Sequence, residues 1–156
     1  MIKDIEQGIA DFISDDKYLH DNGHITVVVE EKADTAFEIS KALAELGVCV
    51  LVDVTGFTRV QNSPLVQGTL EIEIVCYEHP SLNRDDENTL TAQAVMERLA
   101  NILHYKKFPF FVGKMIFKDF RRDDVDEANI VRGNFEVNTE LGYEDLYFHP
   151  EKNNED

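Results

Sequence analysis

Basic residues are scarce in this sequence. Its 156 residues include 15 Lys and Arg against 31 Asp and Glu, so the formal net charge is -16 at pH 7. Such a negative surface repels the phosphates of nucleic acids and the head groups of anionic lipids. We therefore expect neither specific nucleic-acid binding nor a membrane partner. The same charge also keeps a protein soluble, which is its simplest role.

Long apolar runs are missing as well. No stretch approaches the roughly 20 apolar residues that span a bilayer. The N-terminus lacks the basic start, apolar block and small-residue cleavage site of a signal peptide, so we expect a protein that is made and folds in a cytosol. The hydrophobic content of 43% and the length of 156 residues fit one globular core. We predict a single α+β domain over residues 1–148 and a frayed tail over residues 149–156.

Cysteine is limited to Cys49 and Cys76, whose spacing matches no metal or redox motif. Side chains alternate along a strand, which places Cys49 on the face opposite to its valine neighbours and Cys76 on the apolar face of the next strand. The two sulfurs then lie on opposite sides of the sheet and cannot form a disulfide. The predicted inner face consists of Val48, Val50, Val52, Val54, Leu70, Ile72, Ile74 and Cys76.

Catalytic signatures are absent: the sequence has no G-x-S-x-G, P-loop, G-x-G-x-x-G or H-E-x-x-H motif. We expect no enzyme, no catalytic residue and no cofactor. The strongest enzymatic alternative is Glu30 with Lys32, since an E-x-K pair at a strand end resembles half of the restriction-endonuclease-like core, in which acids hold Mg²⁺. The nearest upstream acid, Asp21, is too close to occupy a separate strand, and this argues against that alternative.

A metal site is the other chemical alternative. His20 and His24 lie beside three acidic residues, Asp15, Asp16 and Asp21, and together these are suitable ligand types. A turn signal at residues 22–23 separates the histidines, so the sequence does not place them on one helix face. We therefore expect no metal.

The hydrophobic pattern predicts an α+β fold: a mixed, mainly antiparallel sheet of about five strands packed with three helices, in the order α-β-α-β-β-α-β-β. One connection, between the first two strands, is a candidate parallel crossover. The expected helices cover residues 2–14, Thr35 to Leu46, and a third span that Asn83 caps and that ends near Lys107. In the first helix we expect Glu6 to face outward. The segment Asp15 to Gly23 is expected to be a turn. The expected strands are 25–30, 48–55, 69–77, 110–120 and 130–139.

The hairpin within residues 47–83 is the main candidate for subunit contacts. Its connection from Gly56 to Gly68 is polar and long. We expect the acids Glu71, Glu73 and Glu78 to face outward from its second strand, either as charges that keep a sheet edge from aggregating or as a subunit contact or channel lining. The predicted interface residues are Arg59, Gln61, Asn62, Pro64, Leu65, Glu71 and Glu73.

Phenylalanine is frequent just after the third helix. The series could form a stacking platform for bases, but its spacing and the negative net charge favour a core role. Its members are Phe108, Phe110, Phe111, Phe117 and Phe120.

Element order and sequence texture resemble the tail terminator or tail-completion proteins of long-tailed bacteriophages and prophages. The matching parts are the first helix, the hairpin, the strand exit Glu78-His79-Pro80-Ser81-Leu82-Asn83 and the helix that follows it. The resemblance implies a homo-oligomeric ring, commonly a hexamer, that ends the tail tube and offers the head a docking surface. Its partners would be tail-tube and head-completion proteins, first in the host bacterial cytoplasm and then in the virion tail. The alternative is a protein-binding module that uses Arg121 to Asn129 or the aromatic C-terminal segment.

Overall fold

The computed structural model describes residues 2–22, 25–29, 41, 47–60, 65–79, 90–125 and 128–141. In these ranges the chain forms three helices and a five-stranded sheet. The elements are α1 (Ile2–Ser14), α2 (Lys17–Asn22), β1 (Ile25–Val29), β2 (Val48–Arg59), β3 (Gln67–Glu78), α3 (Ala92–Leu103), β4 (Ile116–Arg122) and β5 (Asn129–Glu140). The helix expected from Thr35 to Leu46 and the tail at residues 149–156 lie outside the described residues.

The sheet has the strand order β1-β2-β3-β5-β4. Strands β1 and β2 are parallel, as expected for a crossover, and every other neighbouring pair is antiparallel. This confirms the predicted α+β class with a mixed, mainly antiparallel sheet. The first strand forms one edge of the sheet, and only Val28 and Val29 are buried along it.

The predicted inner face of β2 and β3 is confirmed. Its residues belong to one apolar core together with inward residues of α1 and α3, and Val54 packs against that core. Cys76 lies in this core, whereas Cys49 lies in a smaller cluster on the opposite face with Leu51 and Val75. Both cysteines are buried and neither forms a disulfide, so the predicted placement on opposite faces is correct.

Helix α1 corrects one prediction. Its apolar residues Ile5, Ile9 and Ile13 are buried as their helical spacing indicates. Glu6 was expected to face outward, yet it is only 1% exposed, and its Oε1 accepts a hydrogen bond from the Val54 N–H at 2.9 Å. The register of β2 shifts between Val54 and Gly56. A bulge interrupts the ladder of strand hydrogen bonds, and the carboxylate supplies an acceptor there.

A short helix, α2, replaces the turn expected between Asp15 and Gly23. The carboxylate of Asp16 caps it by accepting a hydrogen bond from the Leu19 N–H at 3.2 Å. The same carboxylate accepts two hydrogen bonds from the Arg98 guanidinium, at 2.9 and 3.1 Å. Asp16 therefore connects α2 to α3. A local pattern of polar residues does not reveal that Asp16 pairs with Arg98, because Arg98 is distant in the sequence.

Helix α3 begins later than predicted. Its N-cap is Thr91, whose Oγ1 accepts from the Ala94 N–H at 3.1 Å, so Asn83 does not cap it. Glu78 also was misplaced as an outward residue: it is 4% exposed and accepts from the Ala92 N–H at 3.2 Å. A buried carboxylate at a helix N-terminus satisfies an otherwise unpaired backbone donor.

The phenylalanine series is part of the core, as predicted, although not through a strand. Phe108, Phe110 and Phe111 are buried in the connection before β4 and contact one another, with ring centroids 4.7–6.0 Å apart. The strand expected from residue 110 starts only at Ile116. Phe120, on the edge strand β4, is the exception, because 40% of it is exposed.

Candidate subunit-interface surfaces

The hairpin formed by β2 and β3 lies within the sheet. Strand β3 pairs with β2 on one side and with β5 along its whole length on the other, from Gln67 to Glu78. The Val60 N–H extends the pairing by donating to the Gln67 carbonyl at 2.7 Å. Only the residues around the connection can therefore reach beyond the paired strands, and the hairpin is not a free two-stranded arm.

The described residues at the tip of this hairpin are more apolar than expected. We call Arg59, Val60, Leu65 and Val66 the hairpin end. Arg59 is exposed, and the other members are 56%, 47% and 45% exposed, respectively. Of the predicted interface residues, the structure thus places Arg59 and Leu65 together at this end. Gln61, Asn62 and Pro64 lie outside the described residues.

A strip of carboxylates crosses the outer face of the sheet. We call Asp53, Glu71, Glu73 and Glu136 the acidic strip. Glu71 lies directly opposite Glu136 of β5, and Glu73 lies directly opposite Asp53 of β2. Like charges in directly opposed positions destabilise a sheet. Burial, followed by the neighbouring charge of Glu73, raises the pKa of Asp53.

Basic side chains compensate part of this strip. The Arg132 guanidinium contacts Glu73 and Asp123, each at 3.1 Å, and its pKa is raised although its burial acts in the opposite direction. Lys118 lies 3.6 Å from Glu136. The Glu73 side chain is 22% exposed, whereas Glu71 is an exposed residue. Of the two predicted interface acids, Glu71 is thus the more accessible to a partner.

The described residues give little geometric support to the alternative metal site around His20. His20 is 80% exposed and 3.8 Å from the 54% exposed Asp21, and Asp16 is held by Arg98. In the described ranges, no group of three or more His, Cys, Asp and Glu side chains is arranged to hold a metal ion. His24, Glu30 and Lys32 lie outside the described residues. Among the helices that the structure describes, none has the length and apolar character needed to cross a membrane.

The connection between β4 and β5, proposed above as an alternative binding loop, is braced from within. Asp124 accepts from the Ile130 N–H at 3.1 Å and from Arg122 at 2.9 Å. Val125 and Ala128 form an antiparallel bridge, and Val125 is 52% exposed. This loop presents one exposed apolar side chain in its described part, compared with three at the hairpin end.

The fold is shared with a protein of a virus-like particle. No protein-family model matches the sequence, and no curated protein does. Among solved structures, a chain from the "Virion of native gene transfer agent (GTA) particle" is similar, with a TM-score of 0.57 and 11% sequence identity. The alignment covers 85% of this chain and 91% of that one. At this identity the likeness establishes the fold, and it spans nearly all of both chains.

Proposed function

We propose that this chain is a structural protein of a phage-like virion and, more specifically, a tail terminator. Copies of it form a ring, commonly a hexamer in the proteins it resembles, which ends the tail tube and gives the head side a docking surface. The observation that carries the proposal is the shared fold with a chain of a gene transfer agent virion over 85% of this chain. The element order of the sequence supports the finer role.

The charge distribution supports a ring that DNA passes through. The net charge is -16, and the acidic strip keeps Glu71 and Glu136 directly opposite each other. Opposed carboxylates lower the stability of the sheet, so a role in function, and not in folding, would explain why they are present. In a ring, a lumen lined by carboxylates repels the DNA phosphates and lets the molecule slide through without binding.

The hairpin end supports contact between subunits. Val60, Leu65 and Val66 expose apolar surface beside the cation of Arg59. Exposed apolar residues grouped together are typical of protein–protein contact sites. In the proposed ring the interface includes Arg59 and Leu65 with Gln61, Asn62 and Pro64 of the same connection. Glu71 belongs either to that interface or to the lumen.

The proposed role needs no catalytic group, cofactor or membrane contact. Its partners are copies of the same chain, the tail-tube protein and the head-completion proteins. Assembly takes place in the host bacterial cytoplasm, and the product remains in the virion tail.

Light scattering after size-exclusion chromatography tests oligomer formation. We expect a closed oligomer at high concentration, and Leu65→Asp should shift it toward monomer, because the substitution places a charge in the apolar contact. Val125→Asp is the matched control: Val125 is 52% exposed, compared with 47% for Leu65, but lies in a different loop. Its oligomer should be unchanged. A protein that stays monomeric at every concentration, also when tail tubes are added, contradicts the ring.

Tube capping tests the finer role. The tail-tube protein encoded by the same genome is polymerised with and without this chain, and the tube lengths are measured by electron microscopy. We expect shorter tubes that carry a ring at one end. Tubes of unchanged length and with bare ends rule out a terminator, even where the chain forms oligomers.

A further inference from the structure

Two connections and the end of β5 meet at one end of the sheet. Leu141, just after β5, donates its N–H to the Val66 carbonyl of the hairpin end at 2.8 Å. The Gly113 N–H, from the connection between α3 and β4, donates to the Asn138 carbonyl at 2.8 Å. Between them lies a cavity of about 250 Å³, which we call the end cavity. Its lining residues are Val60, Gln67, Gly68, Val112, Asn138 and Thr139.

The end cavity combines two exposed valines with one unsatisfied hydroxyl group. Val60 and Val112 at its mouth are 56% and 49% exposed. Thr139 is 4% exposed, and its Oγ1 has no hydrogen-bond partner in the part of the chain that the structure describes. A buried hydroxyl without a partner costs free energy. The volume of about 250 Å³ exceeds the roughly 150 Å³ that holds a benzene ring in a protein interior. A ring with a hydroxyl group, as in tyrosine, fits both features.

The connection that supplies Val112 is basic, in contrast to the rest of the chain. Between Glu97 and Asp119 the sequence has no Asp or Glu. The connection that supplies Val112 also carries three lysines, and two of them lie over aromatic rings, Lys106 over Phe12 at 4.8 Å and Lys114 over Tyr105 at 6.0 Å. In a chain with 31 acidic residues, this connection therefore favours an acidic and aromatic occupant.

The C-terminal segment, residues 142–156, is acidic and aromatic, and it begins beside the end cavity. It follows Leu141 directly, and Leu141 is held beside the hairpin end. The sequence of this segment, GYEDLYFHPEKNNED, has five acids and one lysine beside two tyrosines and a phenylalanine. A reversal of the chain takes about four residues, so a reversal directly after Leu141 would place Tyr147 just beyond it. At about 3.3–3.6 Å per residue, Tyr147 can reach the cavity easily.

We propose that the end cavity binds the chain's own C-terminal segment, with the ring of Tyr147 in the cavity and its hydroxyl hydrogen-bonded to Thr139 Oγ1. The acids of the segment lie against the basic connection. Binding within one chain is favoured because the tether at Leu141 gives an effective concentration on the order of millimolar. The proposed contact covers the apolar mouth of the cavity. It stands apart from the ring proposal, since it needs neither a second subunit nor a virion.

Tryptophan fluorescence of the full-length protein tests the contact, because the chain contains no Trp. In the variant Tyr147→Trp, the single indole should emit at short wavelength and resist quenching by acrylamide. Adding Val112→Asp should restore the emission and quenching of an exposed indole. Asn153→Trp is the control in the same segment, and it should be exposed with and without Val112→Asp. Circular dichroism verifies that each variant is folded.

Concentration separates this proposal from the ring. Protection of the indole should be the same from dilute to concentrated protein, whether or not a ring forms. Protection that appears only at high concentration overturns the proposal, because the segment then binds a neighbouring copy. An indole at position 147 that is quenched as readily as the one at position 153 also overturns it.

The proposed hydrogen bond has its own test, in the protein without Trp. Tyr147→Phe keeps the ring and removes the hydroxyl, and hydrogen exchange of residues 142–156 should become about five-fold faster, as for the loss of about 1 kcal/mol. Thr139→Val should have a similar effect, and the double variant should add little to either. Fully additive effects, or no effect of either substitution on exchange in the segment, contradict the assigned hydrogen bond.

Discussion

The carboxylate of Glu6 and the backbone N–H of Val54 are joined by a 2.9 Å hydrogen bond. It connects α1 to the place where the register of β2 shifts, and Glu6 is only 1% exposed. The hydrogen bond fixes the position of α1 against one point of the sheet. Nonpolar packing is not directional and would fix that position less specifically. The bulge thus has a structural partner 48 residues away in the sequence.

Replacing Glu6 should therefore cost more than replacing any outward acid of α1. Glu6→Ala leaves the partly buried Val54 N–H without this acceptor, and we expect a loss of about 1–3 kcal/mol in the free energy of unfolding. Urea denaturation measures it. The control is Asp11→Ala, in the same helix but exposed, which should change the stability by less than about 0.5 kcal/mol. Equal effects of the two substitutions would show that the Glu6 bond adds nothing.

The acidic strip should limit stability at neutral pH. The folded-state pKa of Asp53 is raised by burial and by Glu73, so its ionised form is less favourable in the folded protein than in the unfolded chain. Asp53→Asn should then increase the free energy of unfolding at pH 7 by about 0.2–1 kcal/mol. The gain should disappear as the pH falls through the raised pKa, because the wild-type carboxyl becomes protonated. Thermal unfolding at several pH values measures both effects.

Asp119→Asn is the control for the acidic strip. Asp119 lies on the same face of the sheet and accepts a hydrogen bond from Asn134 at 2.7 Å. Its replacement removes one negative charge and leaves a weaker, neutral hydrogen bond in place of the charge-assisted one, so no stabilisation is expected. Stabilisation by both substitutions would point to net charge, and not to the opposed pair Asp53 and Glu73, as the cause.

Gly68 should be required where the hairpin closes. A Cβ at this position would collide with the Thr58 carbonyl oxygen and lie 2.8 Å from its carbon, and both atoms belong to the backbone. Gly68→Ala should therefore cost about 2–3 kcal/mol. In Gly56→Ala the new Cβ would lie 3.4 Å from Glu71 Oε2, an ordinary contact, so this control should be much milder. Chemical denaturation of the two variants gives the comparison, and similar losses would refute the steric argument.

The sheet was predictable because its pattern is strict. Alternation over β2, β3 and β5 identifies the inner face, including the opposite orientation of Cys49 and Cys76. The helices were less predictable, since their ends depend on distant partners. Glu78 and Thr91 together determine where α3 starts, and Asp16 organises α2 through Arg98. A local pattern has no access to such contacts.

The candidate interface was predictable only in position. Sequence alternation places Glu71 and Glu73 on the outer face, and the structure agrees. The sequence pattern does not reveal that Arg132 pairs with Glu73 or that Glu136 lies opposite Glu71, because β5 is distant in sequence. The apolar character of the hairpin end was also missed, since Val60, Leu65 and Val66 are dispersed among polar residues of the connection.

The pairing of Asp16 with Arg98 should make stability depend on acidity. The two hydrogen bonds from the guanidinium lower the pKa of Asp16 in the folded protein. Its contribution is therefore complete above the unfolded pKa of about 4 and is lost as the pH falls through the lowered folded value. Asp16→Asn should cost about 1 kcal/mol at pH 7, because Asn still caps α2 but forms no ion pair. The difference between wild type and variant, followed by urea denaturation, should shrink as the pH falls below about 4. The exposed neighbour Asp15, replaced in the same way, should show neither effect, and a difference that persists unchanged at low pH would contradict the ion pair with Arg98 as its cause.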